Sequence, residues 1–158
     1  MSTAICPFSG DPITYGHIDL IERAANTFDS VVAAVGINPL KQYLFNTDER
    51  LQMAREALKH LPNVEVDTNE GLLADFARHK GIHTIVRCIR NSEDFNYEWQ
   101  LHQINESIDA TLETLWLPCS TGKQDISSSA VKLCWQQGND VSGMVPLVVV
   151  RMMQARNR

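Results

Sequence analysis

Ala4-Ile5-Cys6-Pro7-Phe8, followed closely by Asp11-Pro12-Ile13-Thr14-Tyr15-Gly16-His17, is a short apolar run that turns and opens into a helical pattern. That is how a first β-strand passes into a first helix in an α/β sheet, and the crevice beyond the strand C-termini is where such sheets bind nucleotides. A helix start offers free backbone N–H groups and the positive end of its dipole, so it can hold phosphate. A histidine at this junction can donate a hydrogen bond to a phosphate oxygen as charge builds up on it. Gly16, with no Cβ, lets chain and ligand approach closely. The other reading of the pair is an ordinary turn whose histidine caps its own helix, and a Gly-His pair alone does not separate the two.

Outward from this junction, short apolar runs alternate with helical patterns, which is the βαβ signal of a parallel sheet. Strands are expected near 3–8, 30–36, 63–67, 83–86 and 114–117, and helices near 16–26, 47–60, 72–80, 93–108 and 128–137. Thr47 is read as the capped start of its helix, with Leu51, Ala54 and Leu58 as the apolar stripe. No linker, repeat or low-complexity segment interrupts the pattern, so one domain over residues 1–158 is expected.

The apolar share of 44% suffices for a full core. No apolar run is long enough to span a membrane, and the N-terminal residues do not read as a secretion leader. The expectation is a cytosolic (cytoplasmic) protein with no membrane partner. Cys6, Cys88, Cys119 and Cys134 show no metal-site or redox-motif spacing, so free, wholly or partly buried thiols are expected. A net charge of −5 argues against nucleic-acid binding. An anionic ligand must then be held by local donors, which suits a small phosphate-bearing substrate.

Two further stretches supply such donors. Ile126-Ser127-Ser128-Ser129, ahead of Ala130-Val131-Lys132-Leu133, reads as a second loop-to-helix junction, with hydroxyls and N–H groups for a phosphate. Arg87-Cys88-Ile89-Arg90 follows the strand-like His83-Thr84-Ile85-Val86, and both arginines can face a polyphosphate from a strand exit.

Taken in order, Asp11-Pro12-Ile13-Thr14-x-Gly16-His17-Ile18-Asp19, Pro39-x-Lys41, Phe45-x-x-x-Glu49-Arg50, Asp75-Phe76-Ala77-Arg78, Arg87-x-x-Arg90, Asp94-Phe95-x-Tyr97-Glu98 and Ile126-Ser127-Ser128-Ser129-x-Val131-Lys132 resemble the phosphopantetheine adenylyltransferases. That family belongs to the nucleotidyltransferases marked by Thr/His-x-Gly-His, and the match runs essentially end to end. The resemblance implies a Rossmann-like doubly wound α/β fold, a five-stranded parallel sheet flanked by helices. It also implies a closing helix at 146–153, although Leu147-Val148-Val149-Val150 reads locally as strand.

The implied reaction transfers the adenylyl group of ATP to 4′-phosphopantetheine, giving dephospho-coenzyme A and pyrophosphate in coenzyme A biosynthesis. The resemblance assigns transition-state stabilisation to His17, neutralisation of the acceptor phosphate or the transferring group to Lys41, and the ATP phosphates to Arg90. Arg87 would hold the acceptor phosphate, and Ser9 would contact both substrates. Glu98 would contact the ribose or orient Arg90. Gly10, Cys88 and Ile89 fall on nucleotide-contacting positions, and Lys123, Gln124, Asp125, Ile126, Ser127, Ser128 and Ser129 along the ATP phosphates. Leu73, through its main chain, and Asn105 would meet the pantetheine arm. Mg²⁺ is expected with ATP, held by phosphate oxygens and water rather than by protein ligands. Hexamers, as dimers of trimers, and inhibition by coenzyme A are family expectations.

The chain departs from the family pattern in places. Pro7-Phe8-Ser9-Gly10-Asp11-Pro12 exchanges the glycine and phenylalanine of the usual Pro-Gly-Ser/Thr-Phe-Asp-Pro. Phe8 is then expected to crowd the triphosphate, and Gly10 to leave an aromatic missing beneath the loop. Cys88 replaces a glycine, which is strained if that position needs φ > 0. Ser120 to Asp125 lacks the aromatic often found there. These departures keep two alternatives open: a catalytically weakened paralogue that binds coenzyme A or pantetheine, and a related nucleotidyltransferase with another acceptor.

Overall fold

The computed structural model describes residues 1–156. Its elements run β1 (Thr3–Phe8), α1 (Tyr15–Thr27), β2 (Ser30–Ile37), α2 (Thr47–Leu58), β3 (Val64–Glu70), α3 (Leu73–Lys80), β4 (Thr84–Ile89), α4 (Ser92–Ile108), β5 (Glu113–Pro118), α5 (Ser128–Gln136) and α6 (Leu147–Gln154). The strands form one sheet in the order β3-β2-β1-β4-β5, and every pairing is parallel. The Rossmann-like doubly wound arrangement is the one expected.

Strand residues alternate between two cores. Ala4, Cys6, Val31, Ala33 and Val35 pack with buried residues of α1, α2, α5 and α6. Ile5, Val32, Ala34 and Ile85 pack on the other face with Ala74 and Ala77 of α3. Burial on both faces explains why the central strands read as continuous apolar runs. The chain leaves β1 toward β2 and β3, then crosses to β4 and β5, so the switch point lies between β1 and β4. Beyond the C-terminal ends of those two strands the fold opens a crevice.

Two helix starts differ from their expected form. α1 begins at Tyr15, with Thr14 as its N-cap and His17 in the third position of a capping box. α2 is capped by Asn46 rather than Thr47, with Glu49 reciprocating. Its buried face is Arg50, Met53, Ala54 and Leu58. The tail forms helix α6 despite its β-branched run. Pro146 sets the start, and Val149 and Met153, one turn apart, are buried. Tertiary burial outweighs the small helix preference that valine lacks.

Candidate active site

A cleft of about 590 Å³ opens at the switch point, and His17, Lys41, Arg87, Arg90, Ser128 and Lys132 are among its walls. Each is placed by a different local device. Thr14 N–H donates to His17 Nδ1 at 3.1 Å, and Thr14 Oγ1 lies 3.2 Å from the same atom. In return His17 N–H donates to Thr14 Oγ1 at 3.5 Å. The Thr-x-Gly-His spacing is therefore a capping box with histidine where glutamate usually stands. The backbone amide requires a lone pair on Nδ1, so the neutral ring carries its proton on Nε2. Burial, and then the charges of Arg87 and Arg90, push the His17 pKa down to about 4. His17 thus both caps its helix and remains a neutral donor on the cleft wall.

Gly16 permits a close approach of chain to chain, as its missing Cβ suggested. A Cβ there would stand 3.2 Å from the Ile126 carbonyl oxygen. Its bareness admits the chain ahead of α5, so the two loop-to-helix junctions close against each other. Ser128 Oγ donates to the Pro12 carbonyl at 2.8 Å and fastens the same seam.

Arg87 and Arg90 are held by separate carboxylates. Arg87 makes a bidentate pair with Glu98, Nε–Oε2 2.8 Å and Nη2–Oε1 2.6 Å, while its Nη1 reaches the Pro7 carbonyl at 3.0 Å. Arg90 pairs with Asp94, Nε–Oδ2 2.8 Å and Nη2–Oδ1 3.1 Å. Hydrogen bonding from Arg90 holds the Asp94 carboxyl below its usual range, and the same bond raises Arg90. Glu98 therefore orients Arg87, not Arg90. Asp94 and Glu98 share one face of α4, four residues apart, and serve one arginine each.

Three residues to which the sequence assigned no role, Arg50, Asp11 and Lys132, organise the rest. Buried Arg50 donates from Nη1 to the carbonyls of Ser9 and Gly36, both at 2.8 Å, tying the Ser9 turn to the end of β2. Buried Asp11 accepts from Leu44 N–H at 3.0 Å, Phe45 N–H at 2.9 Å and Lys132 Nζ at 3.0 Å. It anchors the loop that carries Lys41 to the first turns of α5. Lys132 adds a cation to the cleft wall. All three stand inside the quoted motifs. A charged residue inside such a motif was the available signal.

The other expected contacts divide. Ser9, Cys88, Glu98 and Ser129 line the cleft along with the residues above. Gly10, Ile89, Lys123, Gln124, Asp125, Ile126 and Ser127 do not. Ser127 is the N-cap of α5, accepting from Ala130 N–H at 3.1 Å. Lys123 lies over the Tyr15 ring, 5.5 Å from its centroid, and Gln124 Oε1 accepts from Gly122 N–H. The turn before α5 thus folds on itself and against the start of α1. Leu73 and Asn105 line a neighbouring pocket of about 290 Å³. Arg87, Glu98 and Leu101 form the wall common to both cavities.

The expected glycine strain is absent. Among the described residues no non-glycine has positive φ. Cys88 lies within regular β4, paired with Leu117. The left-handed residue of the first turn is Gly10, at φ 61°. Phe8 ends β1 as ordinary strand, and its ring packs beside Gly10, so the aromatic beneath the loop is displaced rather than missing. The four cysteines are free thiols, as expected. Burial pushes Cys6 and Cys88 up to about 12, the neighbouring Cys119 adding to the rise at Cys88.

The cytidylyltransferase-like family model matches residues 9–134. The phosphopantetheine adenylyltransferase of Symbiobacterium thermophilum is 46% identical over 156 residues, spanning 99% of this chain and 96% of that protein. That of Frankia casuarinae is 47% identical over 160 residues, spanning 99% and 98%. Among solved structures, a Vibrio parahaemolyticus protein proposed to be a nicotinate-nucleotide adenylyltransferase matches with a TM-score of 0.65 at 18% identity, covering 98% of this chain and 99% of that one. At that identity the likeness speaks to the fold alone. Motif order, cleft and near-full-length identity converge: the chain belongs to the phosphopantetheine adenylyltransferase family of cytidylyltransferase-like proteins.

Proposed function

We propose that the protein transfers the adenylyl group of ATP to 4′-phosphopantetheine, releasing pyrophosphate and forming dephospho-coenzyme A. The observation that carries this reading is the shared wall of the two cavities. The larger cleft, with His17, Lys41, Arg90 and Lys132, suits a triphosphate. The narrower pocket, with Leu72, Leu73, Leu101 and Ile104 beside Asn105, suits an apolar arm carrying amides. Arg87 stands between them, where the phosphate at the end of that arm would meet the nucleotide.

A phosphate oxygen of the acceptor attacks the α-phosphorus of ATP. The bond from that phosphorus to the bridging oxygen of the β-phosphate breaks, and pyrophosphate leaves. Both reactants are anions, so the work of the site is alignment and charge stabilisation rather than covalent catalysis. Nε2–H of His17 donates to a non-bridging α-phosphate oxygen as charge accumulates in the transition state. Lys41 neutralises the acceptor phosphate or the transferring group. Arg87 holds the acceptor phosphate and Arg90 the ATP phosphates, each guanidinium fixed by its own carboxylate so that little freedom is lost on binding.

Mg²⁺ supplied with ATP would spread charge on the phosphate oxygens. The cleft carboxylates Asp11, Asp94 and Glu98 are engaged by Lys132, Arg90 and Arg87. No group of three or more metal-binding side chains occurs among the described residues. The ion would be held mainly by phosphate oxygens and water, since magnesium keeps its hydration. Coenzyme A, which carries the same arm, is the expected inhibitor.

A homohexamer is supported by apolar surface on α4 and β5, where Phe95, Tyr97, Trp99, Ile104 and Leu115 are exposed. No helix among the described residues is long and apolar enough to cross a membrane, which accords with a cytoplasmic enzyme. The test is product formation. Incubated with ATP, Mg²⁺ and 4′-phosphopantetheine, the protein yields dephospho-coenzyme A by mass. Yield with another phosphate acceptor instead would redirect the reading to a different nucleotidyltransferase.

A further inference from the structure

Phe8 and Gly10 divide a task at the turn after β1. Gly10 takes left-handed backbone, φ 61°, and a Cβ built on it would stand 2.9 Å from Phe8 Cε2 and 3.2 Å from Cδ2. The phenyl ring therefore fills the volume that a side chain on residue 10 would enter. The same ring lies 5.2 Å from the His17 imidazole, centroid to centroid, at an interplanar angle of 38°. Both rings line the cleft.

Thr14 grips the imidazole at Nδ1 alone. An anchor at one atom leaves the plane of the ring to be set by packing, because the terminal torsion of histidine is broad. The aromatic neighbour supplies that packing. We propose that Phe8 is a positioning residue for His17, its ring seated over Gly10 and bracing the imidazole so that Nε2–H faces the reacting phosphate. This rests on the catalytic role given above to His17.

The charged groups that line the cleft with the imidazole are Asp11 ahead of α1, Lys41, Arg87 on β4, Arg90 after it, Asp94 and Glu98 on α4, and Lys132 on α5. A change at Phe8 removes none of these groups. Loss of the ring would admit water beside His17, which the folded protein now keeps neutral through burial.

The test compares wild type with Phe8→Ala and Phe8→Leu by NMR titration of the His17 ring in the free protein, and by kcat and KM. Phe8→Ala is expected to move the His17 titration upward, toward the ordinary range. It should also lower kcat about 10-fold while leaving KM for ATP within about 2-fold, as for a misplaced catalytic group. Phe8→Leu, which keeps apolar bulk, should recover most of both. Phe8→Val carries the same expectation as Phe8→Ala should that variant not fold. An unchanged His17 titration in the ring-deleted variant overturns the proposal, whatever kcat does. A shifted titration with unchanged kcat would leave the bracing intact and overturn instead the catalytic role of His17.

Discussion

Thr14 and His17 exchange hydrogen bonds in both directions, and this reciprocity decides which proton the imidazole offers. Spacing alone made the junction visible, but it posed capping and catalysis as rivals. The two ring nitrogens let one residue do both. A consequence follows for stability. The folded His17 pKa, about 4, lies below the unfolded value near ~6.5. Between these values the unfolded chain binds the extra proton, so stability falls as pH drops from about 6.5 to 4. His17→Gln should therefore lose less stability than wild type over this window, read as denaturation midpoints at pH 7 and pH 4.5. The arginines give a second prediction. Glu98→Gln leaves Arg87 without its charged partner and should raise KM for the acceptor about 10-fold, with a smaller effect on KM for ATP. Equal effects on both would place Arg87 on the nucleotide. The sequence showed Glu98 and Asp94 one turn apart but not which arginine each would meet. That depends on Arg87 lying inside β4 while Arg90 lies beyond its end. Nor could the sequence tell which residue of the first turn takes positive φ. Gly10 does, and the strain expected at Cys88 is absent.

At the scale of elements, the site is a seam between the starts of α1 and α5, closed by Gly16 against the Ile126 carbonyl and by Ser128 on Pro12. Gly16→Val should overpack this seam, at a cost of about 1–3 kcal/mol in denaturant titration. The displaced α5 start would lower kcat as well, since Ser129 and Lys132 move with it. Wild-type stability and turnover in that variant would deny the seam. The element pattern was legible because short continuous apolar runs and helical runs alternate cleanly along the chain. Two readings lay beyond the hydrophobic pattern, one settled by a local capping box and one by packing. The α2 cap moved to Asn46 because Glu49 closes the box from the third helical position. The tail valines form a helix because Val149 and Met153 face the core between sheet and solvent. Local propensity ranks strand first there, and packing overrules it.

Over the whole molecule, charge is arranged locally rather than globally. A chain with net charge −5 gathers Lys41, Arg87, Arg90 and Lys132 around one cleft, with neighbouring carboxylates fixing three of the four. The sequence located the arginines and the serine motif. It did not predict that the 123–127 segment would stand outside the cleft's walls, since a phosphate-binding motif does not state which of its residues serve as caps. The surface of α4 and β5 carries its own prediction. Light scattering should find an assembly of identical chains, and Tyr97→Glu with Trp99→Glu should shift it to smaller species while leaving the fold intact. A wild-type monomer would remove that face from the account. The measurement that bears most directly on the central claim is pyrophosphate release from ATP and Mg²⁺, with and without 4′-phosphopantetheine, for wild type and His17→Ala. Wild type should release pyrophosphate only with the acceptor present, and His17→Ala should lower kcat at least ~10²-fold with KM for ATP changed far less. Near-normal turnover by His17→Ala, or release that ignores the acceptor, would contradict that claim.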